Sequence, residues 1–125
     1  MYPYSTLSAA AKEVRLLTLM PGCDNDPIEA SLSTESLHGG SIYEALSYVW
    51  GSTGNKPNIT LDGVTFAITQ NLHAALKRLR LQHQSRLLWV DAICINQDDT
   101  SEKSSQVAMM SEIYSKTTKG LLWLG

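Results

Sequence analysis

The run Leu87-Leu88-Trp89-Val90 constrains this chain more than any other stretch. It is apolar without helical period, and short enough to be a strand covered on both faces. Asp91 interrupts it, Ile93, Cys94 and Ile95 resume it, and Asn96-Gln97-Asp98-Asp99 ends it with turn-forming polar groups. The pattern predicts a buried strand over residues 87–95 with a polar tip. A carboxylate among apolar residues is costly to bury unless it is hydrogen-bonded or put to use. The stretch is therefore both a structural centre and a place to look for function.

Elements able to cover such a strand are legible around it. Residues 14–19 read as a first strand, stopped by Met20-Pro21-Gly22. Residues 23–40 read as a long connection with a short edge strand near 28–32. Residues 43–50, YEALSYVW, are aromatic and β-branched enough for a sheet centre, and 51–57 follow as a polar loop. Asp62-Gly63 lies between two alternating runs, 59–61 and 64–68. That is a type I′ hairpin signature, because both turn positions favour positive φ.

Thr69 or Asn71 can cap a helix in which Leu72, Ala75, Leu76 and Leu79 form one apolar stripe. Lys77, Arg78 and Arg80 are expected on its outer face. Asp99 and Glu102 resemble a capping box, with Asp in the cap position. The helix they open is expected to carry Val107, Met110, Ile113 and Tyr114 on one side, and residues 121–125 read as a last buried strand.

Strands alternating with amphipathic helices argue for an α/β fold: a parallel core with right-handed crossovers, to which the hairpin and the N-terminal strand are additions. Ligands gather at the carboxyl ends of such strands, here residues 50–55 and 91–99. At 125 residues, one domain is expected over 13–125, with 1–12 as a loose lead-in. The last five residues are too apolar for a comfortable terminus, so we expect the C-terminal part of the domain to be missing.

Composition narrows the function classes. A net charge of −2 gives no basic field for nucleic acid or an anionic membrane. Two cysteines, Cys23 and Cys94, are too few for a disulfide scaffold, and no spacing suggests zinc, so no metal site is expected. No apolar run has a signal-peptide shape or approaches the roughly 20 residues needed to span a bilayer. A reduced, cytoplasmic chain is expected.

Taken together, these blocks resemble the HET (heterokaryon incompatibility) domain of filamentous fungi. The matching pieces are YEALSYVWG at 43–51, ITQNLHAALKRLR at 68–80, LWVDAICINQ at 88–97 and EKSSQVAMMSEIY at 102–114, running into LLWLG at 121–125. The family usually carries an acidic-basic pair before the QV block, and Glu102-Lys103 stands there. The resemblance implies a role in nonself recognition ending in regulated cell death. It also implies a distant likeness to TIR domains, which share a flavodoxin-like parallel sheet and some of which cleave NAD. Their glutamate lies in the helix after the third core strand. This sequence has no position for it, so no catalytic residue is carried over.

The ligand-binding candidates are Ser47, Tyr48, Trp50, Gly51, Asp91, Asn96 and Gln97. Asp91 can hold a ribose hydroxyl, or it can merely accept bonds from loop amides or from the Tyr48 hydroxyl. Asn96 and Gln97 can read a nucleotide edge or simply close the turn into the next helix. Trp50-Gly51 can stack on a ring or fill the core. His38, His73 and His83 have no metal spacing and are expected on the surface, and Glu102 is expected to be a helix-start residue. Gly51-Ser52-Thr53-Gly54 lacks the ending of a Walker loop.

Two functions compete: an interaction module that self-associates or docks on a partner protein, and an enzyme with NAD as substrate. An inactive truncated remnant is a third reading. No resident cofactor is expected for any of them.

Overall fold

The computed structural model describes residues 2–8, 10–23, 25–40, 42–48, 56–116 and 119–123, with backbone alone for residues 48 and 119–123. In chain order the elements are β1 (Glu13–Leu19), β2 (Glu29–Ser36), β3 (Glu44–Tyr48), β4 (Asn58–Leu61), β5 (Val64–Ala67), α1 (Gln70–Leu79), β6 (Arg86–Val90), α2 (Asp91–Cys94), α3 (Thr100–Ala108), α4 (Met110–Ser115) and β7 (Lys119–Trp123). The class is α/β, as expected. The strands form a single sheet in the order β5-β4-β2-β1-β6-β3-β7.

That sheet is mixed: β6, β3 and β7 form a parallel group, and the N-terminal strands and the hairpin extend it on one side. β3 pairs in parallel with β6 and with β7, and β2 with β4. β1 pairs antiparallel with both β2 and β6, so it joins two halves of the sheet. Its sequence explains its place: Val14, Leu16, Leu17 and Leu19 are all buried, which requires cover on both faces.

Residues 23–40 are more ordered than their composition suggested. β2 is eight residues long, runs beside β1 for seven paired positions, and is interior rather than at an edge. Its polar side chains carry no apolar signal, because the β1 ladder satisfies its backbone whatever those side chains are. The hairpin forms as expected, with Asp62 at φ +51° and Gly63 at φ +79°.

α1 begins at its expected cap, Thr69, whose hydroxyl accepts the Leu72 amide at 3.2 Å. It buries Leu72, Ala75 and Leu76. Arg80 is not on the outer face. It is buried, and its guanidinium donates to the carbonyls of Asp26 and Pro27 at 3.0 Å each and to that of Cys23. An irregular loop leaves carbonyls without donors, and the arginine fork supplies them.

The strand expected over 87–95 stops at Val90, and Asp91–Cys94 form one helical turn. Ile93, Cys94 and Ile95 are all buried. Three consecutive buried residues suit a turn wrapped by other segments, and no strand period distinguishes the two. The helix expected after Asp99 is broken at Met109 (φ −94°, ψ 0°). The break shifts the stripe: Val107 is 51% exposed, while Gln106 is buried and donates to the Glu13 carbonyl at 3.0 Å.

Among its described residues the lead-in has no helix or strand, yet it is tied down. The Tyr4 hydroxyl donates to the Ile93 carbonyl at 2.7 Å, and the Tyr2 hydroxyl donates to Asp62 at 2.5 Å. The core lies between the sheet and the helices, around Trp89, Leu88, Leu72, Leu76 and Ile93. Each such side chain contributes about 1.5–3 kcal/mol on burial. Among the described residues no helix is long and apolar enough to cross a membrane.

Candidate functional site

The candidate site grows out of the end of β6. Val90 is the last buried strand residue, and Asp91 opens the helical turn closed by the Ile95 amide on the Asp91 carbonyl at 3.2 Å. The Asp91 carboxyl accepts from its own amide and that of Ala92. Burial pushes its pKa up, and these amides and the charge of Lys103 pull the other way. Cys94 is buried, and that burial pushes its thiol up to about 12, so it stays protonated.

Across the sheet, Ser47 lies near the carboxyl end of β3, the parallel neighbour of β6. It hydrogen-bonds the hydroxyl of Tyr114 from α4. Burial and then the Asp91 charge raise the Tyr114 pKa. The Tyr114 ring packs edge-on against Trp89, with centroids 5.7 Å apart and planes at 81°. Ser47, Asp91 and Tyr114 thus gather where two parallel strands end. The Ser47 and Tyr114 hydroxyls can accept and donate hydrogen bonds, and the Asp91 charge acts on Tyr114 through space. The sequence pattern places Tyr114 only in an apolar stripe. Its hydroxyl, on an otherwise apolar helix face, was the available signal.

Asn96 and Gln97 close the turn into α3. Asn96 Oδ1 accepts the Asp98 amide at 3.2 Å, and Gln97 Nε2 donates to the carbonyls of Asp91 at 2.9 Å and Ile95 at 3.4 Å. Both also line a cavity of about 300 Å³, with Tyr2, Tyr4 and Phe66 opposite them. Neither Asp91 nor Ser47 lines it, so the candidates fall into two groups. Trp50, Gly51 and the loop at 51–54 lie outside the described residues, as does the Tyr48 side chain. His38 and His83 are exposed, and His73 is half-buried on α1. Among the described residues, no group of three His, Cys, Asp or Glu side chains could hold a metal ion.

Beneath both groups lies an ion pair that the sequence reading missed. Arg15 from β1 meets Glu102 from α3 through two contacts of 2.7 Å. Arg15 also donates to the Cys94 carbonyl at 3.0 Å and to the Ser5 carbonyl, and it lies 4.6 Å from the Tyr4 ring centre. Glu102 accepts the Asn96 amide at 2.6 Å. Asp99 caps α3 through the Glu102 amide at 3.1 Å, as expected, but the Glu102 carboxylate serves Arg15 and Asn96. The pair therefore fixes both ends of the 94–96 turn. A single arginine inside the apolar run Val14–Leu19 was the signal.

A model of the family described as Heterokaryon incompatibility protein (HET) matches residues 43–125. That span holds β3, the hairpin, both crossovers and both groups of candidates. The chain belongs to the HET family. Heterokaryon incompatibility protein 6, OR allele, of Neurospora crassa is 38% identical over 138 residues, which cover 99% of this chain. The HET chain spans about a fifth of that relative's length, 20%. No solved structure matches it.

Proposed function

We propose that this chain is an interaction and assembly module in fungal nonself recognition, in which docking on a protein partner or on a second copy leads to programmed cell death. The family match over residues 43–125 carries this reading, and the heterokaryon incompatibility relative supports it. The setting is the cytoplasm. Residues 13–125 act as the HET unit, and 1–12 form its lead-in.

The second reading is a TIR-like domain that cleaves NAD. One observation favours it. β6-β3-β7 is the order second, first, third for the parallel strands taken along the chain, joined by helical crossovers. A flavodoxin-like sheet begins in that order. In such a fold Ser47, Asp91 and Tyr114 would face the ligand.

Two measurements separate the readings. Light scattering on the purified chain and scoring of cell death in hyphae that express the full-length protein test the first. Incubation of the full-length protein with NAD and assay of nicotinamide test the second. Concentration-dependent assembly with death and no nicotinamide supports the module. Nicotinamide release that is lost in a folded Asp91→Ala variant overturns it in favour of the enzyme.

A further inference from the structure

We infer that the cavity between the lead-in, the hairpin and the turn after α2 binds a purine mononucleotide, separately from the Ser47–Asp91–Tyr114 group. Its first wall is aromatic. Tyr2 and Tyr4 lie edge to face at 4.8 Å, and Tyr2 and Phe66 at 6.1 Å. Aromatic side chains in such a wall offer stacking surface to a planar ring. The cavity they border, about 300 Å³, is at the lower end of the size of small-molecule sites.

The opposite wall presents a hydrogen-bonding edge. Asn96 lines the cavity and uses Oδ1 on the Asp98 amide, which leaves its Nδ2 hydrogens available to donate. Gln97 uses Nε2 on two backbone carbonyls, which leaves its Oε1 to accept. Among the described residues neither free atom has a partner. A donor beside an acceptor on consecutive residues matches the acceptor–donor edge of a purine such as adenine, with its ring nitrogen next to an exocyclic amine. The turn bonds hold this edge in place, because the same two amides that close the turn orient the free atoms.

The cavity continues into a smaller one of about 100 Å³ that shares Ala67, Ala92 and Gln97 with it. Among the described residues, Lys56 is the one charged side chain lining this continuation, while Asp98 lines the main cavity. A cation at one end of a groove, with an aromatic and amide site at the other, suits an anionic tail on a planar base. A monophosphate supplies that charge.

The test is a titration of the chain, followed by amide NMR shifts and calorimetry, with AMP, adenosine and inorganic phosphate as probes. AMP should shift residues on both walls, adenosine should bind more weakly, and phosphate alone should not saturate. Asn96→Asp keeps the Oδ1 acceptor for the Asp98 amide but removes the free donor. It should weaken adenosine by about tenfold, the size of a lost polar contact, and AMP by at least as much, since the new carboxylate also repels the phosphate. Lys56→Gln, at an exposed position, should weaken AMP several-fold and leave adenosine unchanged. The inference is overturned if AMP shifts no cavity residue, if folded Asn96→Asp binds AMP normally, or if phosphate competes as well as AMP. None of these outcomes depends on NAD cleavage or on assembly.

Discussion

Arg15 and Glu102 form a two-pronged ion pair inside the protein, with both contacts at 2.7 Å and side chains only 2% and 9% exposed. Removing one partner strands a buried charge, whereas removing both strands none. Glu102→Gln or Arg15→Met should each lower unfolding free energy by about 3–5 kcal/mol in urea titrations. The double variant should lose much less than the sum, because Arg15 Nε is itself buried with no partner among the described residues. Additive losses would show that the two side chains act separately.

The same pair explains why the lead-in is ordered. The Ser5 carbonyl receives Arg15, and the Tyr4 hydroxyl reaches the Ile93 carbonyl in the helical turn. Tyr4→Phe keeps the ring beside Arg15 and deletes only the hydroxyl. It should cost about 1 kcal/mol, the usual net worth of such a bond. Hydrogen exchange should speed up at residues 93–96 and stay unchanged in α1. Equal protection at 93–96 would mean that the hydroxyl bond does not hold the turn.

What the sequence made legible was local. The Asp62-Gly63 turn, the Thr69 cap and the apolar stripe of α1 are each decided by residues within a few positions of one another. β2 was legible only as a short edge strand near 28–32, and not in its full length or interior place, because Ser33 and Thr34 draw their order from β1 rather than from their own burial. Nor was the sheet order, which depends on pairings such as Leu17 with Leu88. Arg15 and Glu102 are 87 positions apart, beyond any periodicity argument. At the candidate site, Asp91 and Ser47 could be named from strand ends. Tyr114 could not, because the break at Met109 sets which side of α4 faces Asp91.

Asp62 combines two roles that a substitution can separate. It holds the left-handed φ of +51° and accepts from the Tyr2 hydroxyl and, at 3.1 Å, from the Leu32 amide. Asp62→Ala loses both bonds and pays the steric cost of φ > 0, together about 1–3 kcal/mol. Asp62→Asn tolerates the φ and keeps an acceptor, so it should retain most of the stability. Thermal melts of the two variants check this. Equal losses would mean that the carboxylate charge, not the turn geometry, matters.

Alkaline pH should destabilise the chain through Cys94, which is buried, and Tyr2, which is partly buried. Burial raises Cys94 from 9.0 to about 12, and burial together with its bond to Asp62 raises Tyr2 from 10.0 to about 12. In each case the folded state holds its proton more tightly than the unfolded chain. The stability is full below the unfolded pKa and is lost as pH rises through the folded value, so ∂ΔG/∂pH is negative from about 9 to about 12. Urea midpoints should fall across that window, and less steeply in Cys94→Ala. At mild pH a thiol reagent should titrate exposed Cys23 and reach Cys94 only on unfolding.

Asp91 offers the sharpest test of function against structure. Its pKa is raised by burial, so the folded state binds that proton more tightly than the unfolded chain does. The stabilising contribution is complete below the unfolded value of 3.8 and is lost as pH rises through the folded one, which makes the ionised carboxylate a cost at neutral pH. Asp91→Asn removes that charge and keeps an oxygen to accept the Ala92 amide. The variant should therefore be more stable than the parent at neutral pH and no more stable well below 3.8. If the carboxylate is kept for recognition or chemistry, the same variant should lose the incompatibility response in hyphae despite its added stability. A variant that is less stable at neutral pH, with its response intact, would show that Asp91 serves the turn alone.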